Sequence, residues 1–218
     1  MNDLTTLPET LFITGIGTDV GKSYATGWLA RELRATGVET ITQKFIQTGN
    51  RDFSEDIEIH RHIMGIPPTP DDRLHITAPV IYSYPASPDL AARIDERPLD
   101  LSLIDNATEA LRGRYDRVLV EGAGGIMVPI DGQYLTVDYV ADRRIPTIVV
   151  TNGQLGSINH TLLTLYALEK RGIPLAGIIY NPHFDADRII CEDTRAYLRN
   201  YLALYHPEAL WLEMPADL

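Results

Sequence analysis

The run Gly15-Ile16-Gly17-Thr18-Asp19-Val20-Gly21-Lys22-Ser23 follows the apolar segment Leu11-Phe12-Ile13 and precedes a helical pattern. Strand, glycine-rich loop, Gly-Lys-Ser and helix in that order constrain this chain more than any other feature. Backbone N–H groups in such a loop close around an anion at the helix N-terminus, Lys22 reaches terminal phosphates, and the Ser23 hydroxyl is placed to ligate a magnesium ion. The expected substrate class is a nucleoside triphosphate. The usual pattern is G-x-x-x-x-G-K-S/T, and counting back from Gly21 by that rule lands on Ile16. The glycine stands one place earlier, at Gly15, with a second at Gly17.

The same alternation of strand and helix continues along the chain. Ser23 to Ala35 places Trp28, Leu29 and Leu33 among Ala, Arg and Glu, an amphipathic helix closed by Gly37. Val38 to Phe45 is β-branched and alternating, a second strand that carries Lys44 at its end. Glu55 to Met64 is helical, prolines at Pro67, Pro68 and Pro70 break it, and Ser83 to Pro88 turns before Asp89 to Arg97. Further on come a helix over Leu101 to Leu111 and a buried strand, Arg117 to Val120, running into Glu121-Gly122-Ala123-Gly124-Gly125. Strands at Pro146 to Val150, Leu175 to Tyr180 and Leu210 to Leu212 alternate with helices at Ile158 to Arg171 and Arg188 to Leu204. This order predicts an α/β fold, a largely parallel sheet with helices on both faces in a single domain over 1–218, its ligands at the carboxyl ends of the strands.

A chain of 218 residues, 44% hydrophobic and 22% charged, has the length and composition of one ordinary globular core. The net charge of -11 disfavours nucleic acid and membrane surfaces, because a field of that sign repels phosphate backbones and anionic lipids. A nucleotide must then be held by local donors and a cation. Cys191 is the single cysteine, which excludes an intramolecular disulfide. No basic-then-apolar leader opens the chain and no apolar run approaches the ~20 residues that span a bilayer, so a cytoplasmic setting is expected.

Several side chains at the predicted ligand edge carry chemistry. Lys44, in Gln43-Lys44-Phe45-Ile46-Gln47-Thr48-Gly49, either stabilises negative charge during phosphoryl transfer or is a solvated surface lysine. Asp56, in Ser54-Glu55-Asp56-Ile57-Glu58, is a magnesium ligand or the solvated start of a helix. Glu121 ends an apolar strand, and a carboxylate buried there needs a cation or hydrogen-bond donors. Gly122 to Gly125 bring backbone close to a ligand or allow a tight turn. Asn152 to His160 follows a buried strand and opens a helix, so its N–H groups suit a carboxylate or phosphate, while Ser157 or Asn159 could serve as a helix cap. Asn181 offers the donor and acceptor that a purine requires, or forms an Asn-Pro turn. The six histidines show no zinc-ligand spacing; His60 and His62, two apart, point to different faces of a helix.

Taken together, these segments resemble the dethiobiotin synthetase family. That family shows five residues before Gly-Lys-Thr, the spacing of Gly15 to Ser23 here, with Ser23 in place of threonine. Its Lys-Pro-x-x-Ser/Thr-Gly segment is similar to Lys44 to Gly49, with Phe45 where proline is usual, and its Val-Glu-Gly-Ala-Gly-Gly strand end is similar to Val120 to Gly125. The aspartate helix start at Asp56, the Leu-Gly-x-Ile-Asn-His loop at Leu155 to His160 and the Pro-x-Ser-Pro turn at Pro85 to Pro88 follow suit, so the resemblance runs from Leu11 to Asp217.

The resemblance implies an ATP-dependent ligase that closes a ring on 7,8-diaminononanoate with carbon dioxide, through a phosphorylated carbamate, to give dethiobiotin. It implies that Thr18, Asp19, Val20, Gly21, Lys22, Ser23 and Tyr24 hold the phosphates, with Gly122, Ala123 and Gly124 beside them. Ser23, Asp56 and Glu121 would organise Mg2+, Lys44 and Lys22 would be catalytic, and Asn181 and Pro182 would face the purine. Thr48 would touch the diamine, and Gly156, Ser157 and Asn159 would bind its carboxylate across the interface of a homodimer. The family's tail runs on past the end of this chain at Leu218, and Pro215, Ala216 and Asp217 are expected to approach the base. Gln154 stands where some relatives carry a basic residue. A nucleotide-dependent dimerisation switch of the partition-ATPase type is the alternative, but such proteins carry an early loop lysine where this chain has Ile16 and Gly17. A cobyrinate-type amide-forming ligase would share the loop without the Lys44 to Gly49 and Leu155 to His160 segments.

Overall fold

The computed structural model describes residues 3–216. Its elements run β1 (Thr10–Gly15), α1 (Lys22–Ala35), β2 (Thr40–Lys44), β3 (Gln47–Thr48), α2 (Glu55–Met64), α3 (Pro70–Arg73), β4 (Ile81–Tyr82), α4 (Pro88–Ile94) and α5 (Leu101–Arg112). They continue through β5 (Arg117–Gly125), β6 (Pro129–Asp131), β7 (Tyr134–Leu135), α6 (Thr136–Asp142), β8 (Thr147–Asn152), α7 (Ser157–Lys170), β9 (Leu175–Asn181), α8 (Arg188–Tyr205) and β10 (Leu210–Glu213).

Six strands form one sheet in the order β10-β9-β8-β1-β5-β2, with every neighbouring pair parallel. The expected parallel α/β architecture is present. Strands covered on both faces need apolar side chains on both, and β5 shows it: Val118 and Val120 pack with α5, α6 and α7, while Leu119 packs with α1 on the other side. The first strand lies in the middle, flanked by β5 and β8. Its carboxyl end is the point where the chain's path across the sheet reverses, and a crevice opens there.

Three pieces escape the sequence pattern. The short parallel ladder of β3 with β4 and the antiparallel pair β6 and β7 involve two or three residues per strand, too few to show a period. The helix α6 is rich in β-branched residues and held by tertiary burial of Val137, Tyr139 and Val140. The stretch after Asp89 stays helical only to Ile94, since Asp95 caps it and Glu96 has a positive φ of 50°. Cys191 is buried in α8, its Sγ 3.5 Å from the Gly153 carbonyl. Among the described residues no helix is long and apolar enough to cross a membrane.

Helix α2 sets one wall of the crevice. Ser54 caps it through the Ile57 N–H and Gly65 ends it with φ 67°. Arg61, buried on its inner face, donates from Nε and Nη2 to both oxygens of Asp72 at 2.9 and 2.8 Å, and from Nη1 to Thr42 Oγ1 of β2 at 2.7 Å. Burial pushes the Asp72 carboxyl up, but Arg61, Thr77 and the Thr69 N–H together hold it below the usual carboxylate range. Its contribution to stability is therefore complete above the unfolded carboxylate pKa of about 3.9 and is lost as pH falls through the lower folded value. Asp72→Asn is expected to lower the unfolding free energy at pH 7 by about 3 kcal/mol, because it leaves a buried guanidinium without its anion. Urea denaturation measures this, and the deficit should shrink as pH is taken below the carboxylate range. An unchanged urea midpoint at pH 7 would contradict it.

Candidate active site

A cleft of about 860 Å³ lies over the carboxyl ends of β1, β2, β5 and β9. Of the residues singled out in the sequence, it is lined by Thr18, Asp19, Gly21, Lys22, Ser23, Tyr24, Lys44, Thr48, Asp56, Glu121, Ala123, Gly124, Asn181, Pro215 and Ala216. Val20, Gly122 and Pro182 sit just behind this lining: Val20 is buried among apolar residues of α1, Gly122 offers its carbonyl to Lys44, and Pro182 opens a 3-10 turn. Asp217 lies outside the described residues.

The loop geometry requires glycine at Gly21, the N-cap of α1. Its φ is 85°, and a Cβ there would lie 2.2 Å from the Asn181 side-chain nitrogen. Asn181 is itself buried; its amide donates to the Val20 carbonyl at 3.1 Å, and its Oδ1 accepts from the His183 N–H at 3.0 Å. The Asn-Pro turn is thus real, and the same side chain ties the loop to the end of β9. Lys22 Nζ donates to the Gly17 carbonyl at 2.9 Å, folded across the loop, and burial pushes its ammonium pKa down.

The charged centre joins three elements. Lys44, at the end of β2, is 4% exposed, so the solvated-surface alternative is excluded. Its three protons have three acceptors: Asp56 Oδ2 at 2.6 Å, Glu121 Oε1 at 2.8 Å and the Gly122 carbonyl at 3.2 Å. Burial alone would lower the Lys44 pKa, but the carboxylates of Glu121 and Asp56 more than offset it and raise the value. Glu121 is 1% exposed at the end of the central strand β5. Burial pushes its carboxyl up, and Lys44 together with His60 drives it well below the usual range. Ser23 Oγ stands 2.5 Å from Asp56 Oδ1 and 3.0 Å from Glu121 Oε1, and its single proton can satisfy only one of them at a time.

This donor set fits magnesium. Two carboxylates and a hydroxyl beside a phosphate loop are hard oxygen ligands of the number that magnesium takes from protein when phosphates complete its shell. Among the described residues no group of three or more His, Cys, Asp and Glu could hold a metal ion, so the cleft is not a site of the all-protein kind. The charges argue the same way. Lys22 and Lys44 already face Asp56 and Glu121, and triphosphate entering that balanced centre brings negative charge that further cation must offset.

Phe45 has a physical role where the resembling segment has proline. Its N–H donates to the Glu121 carbonyl at 2.8 Å, a bond proline cannot make, and its ring packs against Phe12 and Tyr139 with centroids 5.6 and 4.5 Å away. The α7 loop behaves differently from the rest. Gly156, not Ser157 or Asn159, is the N-cap, so the capping alternative fails for both. Ser157 is buried and donates to Asn152 Oδ1 at 2.5 Å, and Gly156 and Asn159 are exposed away from the cleft of their own chain. Sequence inspection missed His60, which is fully buried with Nε2 2.6 Å from Glu121 Oε2. The available signal was its spacing of one helical turn from Asp56, not its distance from His62. His183, Phe184 and Met214 of the cleft were also missed.

Fold and site together define a phosphate-loop nucleotide-binding α/β protein. A family model described as an AAA domain matches residues 9–204. The chain is 44% identical over 205 residues to the ATP-dependent dethiobiotin synthetase BioD 2 of Pasteurella multocida, covering 94% of this chain and 96% of that one. It is 45% identical over 197 residues to the ATP-dependent dethiobiotin synthetase BioD of Chlorobaculum tepidum, covering 90% and 82%. Chloroplast FtsY from Physcomitrella patens shares the fold at a TM-score of 0.54 and 15% identity, over 93% of this chain and 57% of that one. This chain belongs to the ATP-dependent dethiobiotin synthetase family, ligases of biotin biosynthesis.

Gly21→Ala should weaken ATP binding about tenfold or more. The left-handed backbone alone costs ~1–2 kcal/mol with a Cβ, and Asn181 must also be displaced. Calorimetric titration of ATP into the variant checks this, and wild-type affinity would contradict the loop geometry.

Proposed function

We propose that this chain closes the ring of dethiobiotin on 7,8-diaminononanoate in three steps. One amine takes up carbon dioxide as a carbamate; a carbamate oxygen attacks the γ-phosphorus of ATP and ADP leaves; the second amine attacks the carbonyl carbon and expels phosphate. The observation that carries this reading is Lys44, a buried ammonium held between Asp56, Glu121 and the Gly122 carbonyl within the same cleft as the phosphate loop.

Lys22 and the loop N–H groups suit the triphosphate, and Lys44 can exchange an acceptor of its own for an anionic oxygen of the carbamate or of the transferring phosphoryl group. At a buried position such a donor stabilises developing charge more than it would in water. Magnesium bound by Ser23, Asp56 and Glu121 would neutralise charge on the phosphate oxygens. Holding the second amine beside an activated carbonyl replaces a bimolecular step. Asn181, with Pro182, Pro215 and Ala216 close by, suits the purine end, and Thr48 suits the diamine. A homodimer would let Gly156, Ser157 and Asn159 of one copy meet the diamine carboxylate bound by the other. Leu155 at 87% exposure, with Leu163 and Tyr166 exposed along α7, supports such an interface. A cytoplasmic setting agrees with ATP as co-substrate.

Purified protein given magnesium, bicarbonate, diaminononanoate and ATP should form dethiobiotin, with phosphate release dependent on the diamine. No ring product with any triphosphate, or phosphate release indifferent to the diamine, would contradict the proposal. Lys44→Met, which keeps the volume, should lower kcat by about 10²–10³ while the thermal transition stays cooperative. Turnover at the wild-type rate would remove Lys44 from the mechanism.

A further inference from the structure

His60 has no part in the chemistry described above, yet it is completely buried and bonded at both ring nitrogens. Nδ1 lies 2.9 Å from Thr42 Oγ1, and Nε2 lies 2.6 Å from Glu121 Oε2. The other oxygen of that carboxylate, Oε1, is the one that meets Lys44 and Ser23. The two oxygens of Glu121 therefore face different worlds, one the cleft and the other the protein interior. His60 does not line the cleft, so it acts on the reaction only through Glu121.

Hydrogen-bond accounting assigns the tautomer. Arg61 Nη1 donates to Thr42 Oγ1 at 2.7 Å, and a guanidinium has no acceptor to offer in return. The hydroxyl proton of Thr42 is thus left for His60 Nδ1, which accepts it. The ring proton then sits on Nε2 and points at Glu121 Oε2. The opposite tautomer would set a nitrogen lone pair against a carboxylate oxygen at 2.6 Å and leave the Thr42 proton with no bond. Arg61 is itself fixed by both oxygens of Asp72, so the chain of bonds runs from Asp72 through Arg61, Thr42 and His60 to Glu121.

We propose that His60 is a positioning residue, which as the Nε2–H tautomer anchors Glu121 Oε2 and so aims Oε1 at the cation and phosphates of the cleft. The inference rests on the magnesium–ATP reading of that cleft. A bond from an outer residue that orients a ligating carboxylate is worth about 10- to 100-fold in metal affinity, so the effect should be measurable at the metal itself.

The test uses Mn2+ as the probe, presented as the Mn2+–ATP complex and compared with metal-free ATP, each titrated calorimetrically into the protein. His60→Leu should raise the Kd for Mn2+–ATP by about 10- to 100-fold, while its affinity for metal-free ATP stays close to wild type. His60→Gln, whose side-chain amide can donate from the place of Nε2, should recover most of the loss. Nitrogen-15 NMR of the wild-type protein should find the His60 ring protonated at Nε2, assigned by the signal absent from His60→Gln. Wild-type Mn2+–ATP affinity in His60→Leu, a His60→Gln no better than His60→Leu, or an Nδ1–H ring would each overturn the proposal. Equal loss of Mn2+–ATP and metal-free ATP binding in His60→Leu would also overturn it, in favour of a general packing role. Should His60→Leu not fold, the ring tautomer and the His60→Gln titration still decide. If the wild-type protein binds Mn2+–ATP no more tightly than metal-free ATP, the reading of the cleft fails, a result distinct from failure of the role of His60.

Discussion

A carboxylate buried at the end of a central strand is the constraint around which this molecule is arranged. Glu121 is 1% exposed, and an ionised group in that position is costly without partners. Its partners come from the elements that wall the cleft: Lys44 from β2, His60 from α2 and Ser23 from α1. Satisfying one side chain thereby sets the distances between the phosphate loop, the end of β2 and helix α2. The backbone adds to it, since the Phe45 N–H closes on the Glu121 carbonyl immediately beyond the last residue of β2.

The electrostatics of the whole chain and of the site point in opposite directions. The net charge of -11 would oppose an anionic substrate, and the cleft answers with two buried lysines, aligned N–H groups and oxygen ligands suited to a divalent cation. Lys44 is engaged by three acceptors, and its charge lies between the two carboxylates of Asp56 and Glu121.

What could be read from the sequence was what is local in it. The phosphate loop, the strands feeding the sheet and the helix at Glu55–Met64 are each specified by a contiguous pattern, and all are present. The need of Glu121 for a cation was legible because an apolar strand ran directly into it. Lys44 and Asp56 stayed ambiguous, because burial of a strand-end lysine depends on what packs over it, and that comes from residues 77 positions away at Glu121. His60 was illegible for a related reason: its partner is a side chain 61 positions distant, and no local pattern around it marks that contact. The α7 loop opens a helix after a buried strand, as its sequence predicts, and its exposed Gly156 and Asn159 lie away from the cleft of their own chain, a placement that local sequence does not encode.

In the proposed reaction this centre brings the γ-phosphate of ATP against an oxygen of the carbamate. Isotope transfer tests that directly: bicarbonate labelled with oxygen-18, supplied with diaminononanoate, magnesium and ATP, is followed into inorganic phosphate by mass spectrometry. The bond changes proposed here place a carbamate oxygen in the departing phosphate, one labelled atom for each dethiobiotin formed. Dethiobiotin produced with unlabelled phosphate would contradict the account.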